Sequence, residues 1–349
     1  MANQVLTLVQ AVNMGLRQEM ARDPGVVVYG EDVGVEGGVF RVTEGLQKEF
    51  GEKRCFDSPL SESGILGTAI GLAINGMKPV VEMQFSGFFF ECFAQLMCHA
   101  ARMRNRSRGR FTVPLVIRTP IGGGIKALEH HSESEEVYMA HLPGIKVVIP
   151  STPFDAKGLL IAAIRDPDPV IFLEPKRLYR AFKQEVPEED YFIPIGKASI
   201  IQEGSDITLI AWGAMVRECW EAAAEAKKLG ISCEIVDVRT ISPLDLETIT
   251  ASVQKTGRAI VVHEACRTFG AGAEISASLH ENLFGVLKKP VERVTGFDIV
   301  VPMARSEDKN MPDEFRVLEA IKKVMAGDSC YNKPVLTHFR WHTNSNFRT

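Results

Sequence analysis

Apolar positions recur along the chain in two rhythms. Residues 5–22 place them at helical spacing and stop before Asp23-Pro24-Gly25, which predicts a helix. Val26-Val27-Val28-Tyr29 is then a short unbroken apolar run, the pattern of a strand buried on both faces. The same alternation predicts a short helix over 43–50, a strand over 79–83, a helix over 91–103 and a strand over 113–118. A strand over 146–149, a helix over 154–165 and a strand over 168–173 follow. From 183 to 194 the pattern lapses into Glu185-Val186-Pro187-Glu188-Glu189-Asp190 with a second proline at 194, the signature of a domain boundary. Beyond it the alternation restarts: strand 206–212, helix 215–229 closed by Gly230, strand 231–238, helix 244–254, strand 259–263. Strands alternating with helices build parallel sheets. The expected fold is therefore α/β with two doubly wound domains, 1–184 and 195–325, followed by a polar, unpatterned extension over 326–349.

One helix breaks the usual rules. After Phe56-Asp57-Ser58-Pro59-Leu60-Ser61, Glu62 opens a run in which Gly64, Gly67, Thr68, Ala69, Gly71 and Ala73 leave almost no side-chain bulk. Glycine costs a helix about 1 kcal/mol relative to alanine, so such a helix makes sense where another backbone or a ligand must come very close. Glu62 at its mouth either favours the positive end of the helix dipole or does chemistry.

Composition narrows the classes. The chain has 349 residues, 45% hydrophobic and 24% charged, ordinary for a globular protein of about two domains. A net charge of −4 supplies no basic face for nucleic acid. No basic segment followed by an apolar run opens the chain, and no 18-residue uncharged apolar run occurs, so neither an export signal nor a membrane span is expected. Seven cysteines lie scattered without a C-x-x-C, which reads as reduced thiols in the cytoplasm, or in a mitochondrial matrix after removal of a targeting segment.

Several clusters invite chemistry. Phe85, Phe88, Phe89, Phe90 and Phe93 crowd together, a pattern that is core or a platform for a planar ring. Five arginines between 102 and 110 read as a solvated turn, or as a surface for a negative partner. Gly122-Gly123-Gly124 lacks the Lys-Ser/Thr of a phosphate loop and reads as a mobile active-site loop. Glu129-His130-His131-Ser132-Glu133 holds two adjacent histidines, but no third spaced ligand of a transition metal. His263-Glu264 reads as a pair of satisfied polar groups, with a place beside an active site as the alternative. No G-x-G-x-x-G opens a helix after the first strand, which disfavours a nicotinamide oxidoreductase.

An ordered set of words is more specific. Gly30-Glu31-Asp32-Val33-Gly34, Gly37-Gly38-Val39-Phe40, the stretch around Glu62, Val81-Glu82-Met83-Gln84-Phe85, Pro143-Gly144-Ile145-Lys146-Val147-Val148, Asp155-Ala156-Lys157-Gly158 and Lys255-Thr256-Gly257-Arg258 follow one another. From about Leu6 to Met325 the chain resembles the beta subunit of the thiamine-diphosphate-dependent decarboxylating component of 2-oxo acid dehydrogenase complexes. The resemblance implies a transketolase-like pyrimidine-binding domain followed by a transketolase C-terminal-like domain. It implies that Glu62 is the carboxyl group sharing a proton with the aminopyrimidine, so that the cofactor's own imino group can take the thiazolium C2 proton. It further implies that Phe88 packs on that ring, that Glu31 lies inside between active sites, and that His131 hydrogen-bonds substrate or acts as an acid in acyl transfer. A structural potassium ion on Leu115, Ala163, Ile164, Asp166 and Asp168 belongs to the same pattern.

Thiamine enzymes hold the magnesium diphosphate through a Gly-Asp-Gly word. The only Gly-Asp here is Gly327-Asp328, so the resemblance implies a separate alpha subunit carrying that end in an α2β2 heterotetramer. The further partners it implies are a dihydrolipoyl acyltransferase core, with its lipoyl and subunit-binding domains, and a small 2-oxo acid. Phe172-Leu173-Glu174-Pro175-Lys176 is similar to branched-chain members, and Ser86-Gly87-Phe88 to pyruvate members. An acetoin-cleaving or transketolase-like subunit, or a non-catalytic scaffold, are the alternatives.

Overall fold

The computed structural model describes residues 3–326, so the expected extension lies, from 327 on, outside the described residues. Seven strands form the larger sheet, in the order Thr240–Ser242, Lys146–Val148, Val170–Pro175, Val116–Ile121, Lys78–Glu82, Val26–Gly30, Cys55–Asp57. All neighbours pair parallel except the first two. The central strands are short and largely apolar because helices cover both faces: Leu8–Arg22 and Pro153–Arg165 on one, Glu62–Ile74 on the other. Leu8–Arg22 begins where Thr7 caps the Gln10 amide and Gln10 reaches back, a capping box that ends the short strand Asn3–Leu6.

The smaller sheet has five strands, in the order Glu292–Gly296, Ala259–Cys266, Ile207–Ala211, Cys233–Asp237, Ser199–Gln202, the last antiparallel. Met215–Lys228 ends in Leu229 and Gly230, the glycine at φ +77° as a terminating residue requires.

The two halves are not independent. Thr240–Ser242 leaves the second half to complete the edge of the first sheet beside Lys146–Val148. Arg239 donates to Asp155 at 2.6 Å, and Ser151 donates to the buried Asp237, so ion pair and hydrogen bond cross the same seam. The main apolar clusters each contain side chains from both halves. Among the described residues no helix is long and apolar enough to cross a membrane, and the six described cysteines are free.

The helix expected over 91–103 is instead broken. Ser86–Cys92 is a 3₁₀ segment, Phe93–Gln95 is α and Leu96–Ala100 is a π turn, so the axis shifts twice beneath the phenylalanine cluster. Π turns absorb an extra residue inside a helix.

Candidate active site

The spatial strand order reverses at Val26–Gly30. The chain leaves it for Cys55–Asp57 on one side and returns to Lys78–Glu82 on the other, which opens a crevice at the carboxyl ends of the two strands. Glu31 follows the first strand and Gln84 the second, and Gln84 Nε2 donates to Asp32 Oδ2 at 3.1 Å across the gap. Gly30 has to be glycine, since a Cβ there would lie 2.6 Å from the carbonyl oxygen of Glu82.

Glu62 starts its helix at the same edge. Ser61 caps it by accepting the Gly64 amide at 3.2 Å, and the buried Tyr29 hydroxyl donates to the Ile65 carbonyl at 3.0 Å, which ties the first turn to the strand below. Ser63 Oγ donates to the Glu91 carbonyl, joining that turn to the Ser86–Cys92 segment. Glu62 is 8% exposed as a residue, and its carboxyl makes no hydrogen bond or ion pair within the described residues. Glu31 is buried beside it; desolvation first, then the charges of Glu62 and Asp32, hold its carboxyl above the usual range. Two carboxyl groups thus sit close enough to feel each other at the crevice.

The glycine face of the helix is bare. A Cβ at Gly67 or Gly71 would meet nothing within 4 Å, and Gly64, Gly67, Thr68 and Gly71 are exposed. Among the described residues, no element uses the close approach that these glycines allow.

His131 arrives from the next strand, Val116–Ile121, on a loop that returns against the Ser86–Cys92 segment. Its ring lies 4.3 Å from Phe85 and 5.2 Å edge-on from Phe88. Since a carbonyl only accepts, Nδ1–H donates to Glu129 O at 2.7 Å, and Nε2 is the nitrogen left for other work. His130 points away, exposed, with φ +64°. The phenylalanine cluster divides: Phe85 and Phe89 are buried, Phe88 half-buried and Phe90 exposed. Glu31, Glu62, Phe88 and His131 therefore share one edge of the sheet.

The loop positions at 163–168 come together elsewhere. The carbonyl of Leu115 accepts the Val170 amide at 2.9 Å, and that of Ala163 accepts the Asp166 amide at 3.2 Å. Asp166 accepts from the Lys146 ammonium at 2.6 and 2.7 Å, and Asp168 from Arg104 at 2.6 Å. Ile164 is buried at the end of the helix Pro153–Arg165. Carbonyls and carboxylates are the donors a hard cation takes, and the two carboxylates already carry cationic partners.

Beneath the edge lies a buried ionic cluster that the sequence did not single out. Arg118 donates to Glu82 at 2.8 Å and to both oxygens of Glu174 at 2.6 and 2.9 Å, and Tyr179 donates to Glu174 at 2.6 Å. All three charged residues are at most 3% exposed, and they stitch three adjacent strands below the crevice. Lys176 follows Glu174, its ammonium 5.4 Å from the Phe85 ring; burial lowers it to about 8. Glu264 takes the alternative place expected for His263-Glu264: it binds the Gly123 amide, which sets it beside the His131 loop. Neither ring nitrogen of His263 has a hydrogen-bond partner among the described residues, the ring stacks on Trp212 at 5.2 Å, and burial drops it to about 3, so it is neutral.

Comparison with known proteins fits this layout. Residues 4–181 match the family Transketolase, pyrimidine binding domain, and residues 196–315 match Transketolase, C-terminal domain. The chain is similar to the pyruvate dehydrogenase E1 component subunit beta of Acholeplasma laidlawii, 56% identical over 320 residues that cover 92% of this chain and 98% of the relative. It is 55% identical to the protein of the same name from Bacillus subtilis and 52% to that from Staphylococcus epidermidis, with the same coverage. A solved structure named Split gene transketolase, inactive beta4 tetramer, shares the fold at a TM-score of 0.74 and 21% identity, covering 92% of this chain and 98% of that one.

Proposed function

Since this chain belongs to the family of pyruvate dehydrogenase E1 beta subunits, the thiamine-dependent 2-oxo acid dehydrogenases of transketolase fold, we propose that it supplies the proton-handling half of a site that decarboxylates pyruvate and passes the acyl group to a lipoyl arm. The observation that carries this reading is Glu62: a largely buried residue whose carboxyl has no partner among the described residues, at the mouth of a helix whose outer face is bare backbone.

The residues present fit thiamine diphosphate at its pyrimidine end. Glu62 would hold the ring through a shared proton, Phe88 would pack against it, and Glu31 would lie behind Glu62. Bound, the cofactor supplies the electron sink for decarboxylation. The chain's own residues do the rest. Glu62 presents its carboxyl to the ring for proton exchange, and its geometry is set by the Ser61 cap and the Tyr29 bond. His131, with Nδ1 committed to Glu129, presents Nε2 as a donor or acceptor for the substrate or the leaving acyl group.

The magnesium diphosphate end belongs to an alpha subunit. Its docking face on this chain is the exposed stripe of Gly64, Gly67, Thr68 and Gly71, where a backbone can approach closely. An α2β2 heterotetramer closes the cofactor between chains, and a dihydrolipoyl acyltransferase core with its lipoyl domain is the acceptor. Ser86-Gly87-Phe88 supports pyruvate over branched-chain acids, and the setting is the cytoplasm, as befits the bacterial relatives. The division of the chain at 184 and 195 follows the acidic, proline-containing crossing. A potassium ion on the carbonyls of Leu115, Ala163 and Ile164, with Asp166 and Asp168, completes the reading as a structural element.

The test is to purify the chain alone and with its alpha subunit, add thiamine diphosphate and magnesium, and follow pyruvate decarboxylation. Activity is expected only in the pair. Full activity of the chain alone would refute the split site.

A further inference from the structure

The loop that carries His131 is closed at its base within the first half of the chain. Gly122 N–H donates to Glu133 O at 2.8 Å, and Ser86 Oγ donates to the same carbonyl at 3.3 Å. The returning limb is pinned by the Glu133 carboxylate, which accepts the amides of His130 at 3.2 Å and Ser132 at 3.0 Å. The outgoing limb is held from the other half. Gly123 N–H donates to Glu264 Oε1, and Lys126 N–H donates to Glu307 Oε2 at 2.8 Å. Bonds from an amide to a carboxylate are short and strong for their kind.

The three consecutive glycines follow from this arrangement. A Cβ at Gly122 would lie 2.8 Å from Glu264 Oε1, and one at Gly123 would lie 2.9 Å from Glu307 Oε1. At Gly124 it would lie 2.8 Å from Arg177 Cγ. The loop is therefore packed into a crevice between the halves, not free as its composition suggests. Glu264 follows the doubly paired part of the strand Ala259–Cys266, in the irregular stretch between His263 and Cys266, and Glu307 is 1% exposed at the start of Glu307–Asn310.

We propose that Glu264 and Glu307 are positioning residues for His131: two carboxylates of the second half that clamp the amides of Gly123 and Lys126 and so set where the histidine ring stands against Phe85 and Phe88. The inference rests on the functional reading above only for the claim that His131 acts in turnover. The clamp also ties the second sheet to the reaction, although that sheet brings no residue to the Glu62 crevice.

Amide hydrogen exchange on the full wild-type chain tests the clamp without any substitution. The Gly123 and Lys126 amides should be protected by at least about tenfold over those of Gly124 and Ile125, which have no acceptor among the described residues. Equal exchange at the four positions would overturn the clamp. Substitution tests its purpose. Glu307→Ala and Glu264→Ala should each speed exchange across 122–131 and lower kcat of the assembled enzyme by roughly 10–100-fold, the scale of a misplaced group, with KM for the 2-oxo acid little changed. Glu307→Gln and Glu264→Gln keep an acceptor oxygen and should restore both. Faster exchange with unchanged kcat would overturn the positioning role. An assembled wild type inactive on every 2-oxo acid would sink the functional reading instead, and the exchange pattern would still decide the clamp.

Discussion

Gly87→Ala isolates the packing of the His131 loop from every other effect. Gly87 lies in the Ser86–Cys92 turn, and its backbone is not in the left-handed region, so alanine suffers no conformational penalty there. The cost is steric. A Cβ at 87 would come under 3.0 Å from the His130 carbonyl oxygen and lie 3.1 and 3.3 Å from its carbonyl carbon and Cα. The neighbour is backbone, not the end of a flexible side chain. It cannot retreat freely, because His130 is already at φ +64°, its amide is held by Glu133, and His131 N–H is bound to Leu128 O at 3.2 Å. Overpacking of this kind costs about 1–3 kcal/mol, a fall in melting temperature of roughly 2–4 °C per kcal/mol. The same relief moves His131 by on the order of 1 Å, which can reduce turnover by about 10²-fold. The assay pairs a thermal melt with pyruvate turnover in the assembled enzyme. Wild-type melting together with wild-type turnover would refute the packing. A stability loss with full turnover would show that the turn yields instead of the loop, and would refute the link between Gly87 and His131.

Glu62→Gln should lower turnover by about 10²–10⁴, the scale of a lost acid–base step, while the chain melts as wild type; near-normal activity would remove Glu62 from the chemistry. Arg118→Met strands Glu82 and Glu174 in the core, so urea unfolding should show a loss of about 3–5 kcal/mol, and an unchanged midpoint would contradict the ionic cluster. Burial lifts the Glu136 carboxyl from 4.5 to about 8. A raised acid contributes stability that is full below the unfolded pKa and lost as pH rises through the folded one. Glu136→Gln should therefore flatten the fall in stability between pH 4.5 and 8 relative to wild type, and superimposable pH curves would count against it. Potassium should raise the melting temperature more than sodium by ligand linkage, with identical melts in matched buffers arguing against a selective site at 163–168.

The elements of this fold were legible wherever local patterning sets the outcome. Unbroken runs such as Val26-Val27-Val28-Tyr29 can only be buried on both faces, and Gly230 stops a helix because it alone enters the left-handed region cheaply. The bare face of the Glu62 helix was legible because a helix of glycines is costly by itself and so announces a close approach. Long-range placement was not legible. Thr240–Ser242 joins the other half's sheet through a pairing to residues nearly a hundred positions earlier, which no local pattern encodes. The break of the helix over 91–103 goes with the burial of Phe89, Cys92, Leu96 and Ala100 in one apolar cluster, a tertiary demand that helix propensity does not encode. The triple glycine looked mobile because glycine permits both freedom and close approach. Only the carboxylates of Glu264 and Glu307, brought from the far end of the chain by the second half, decide that here it serves close approach.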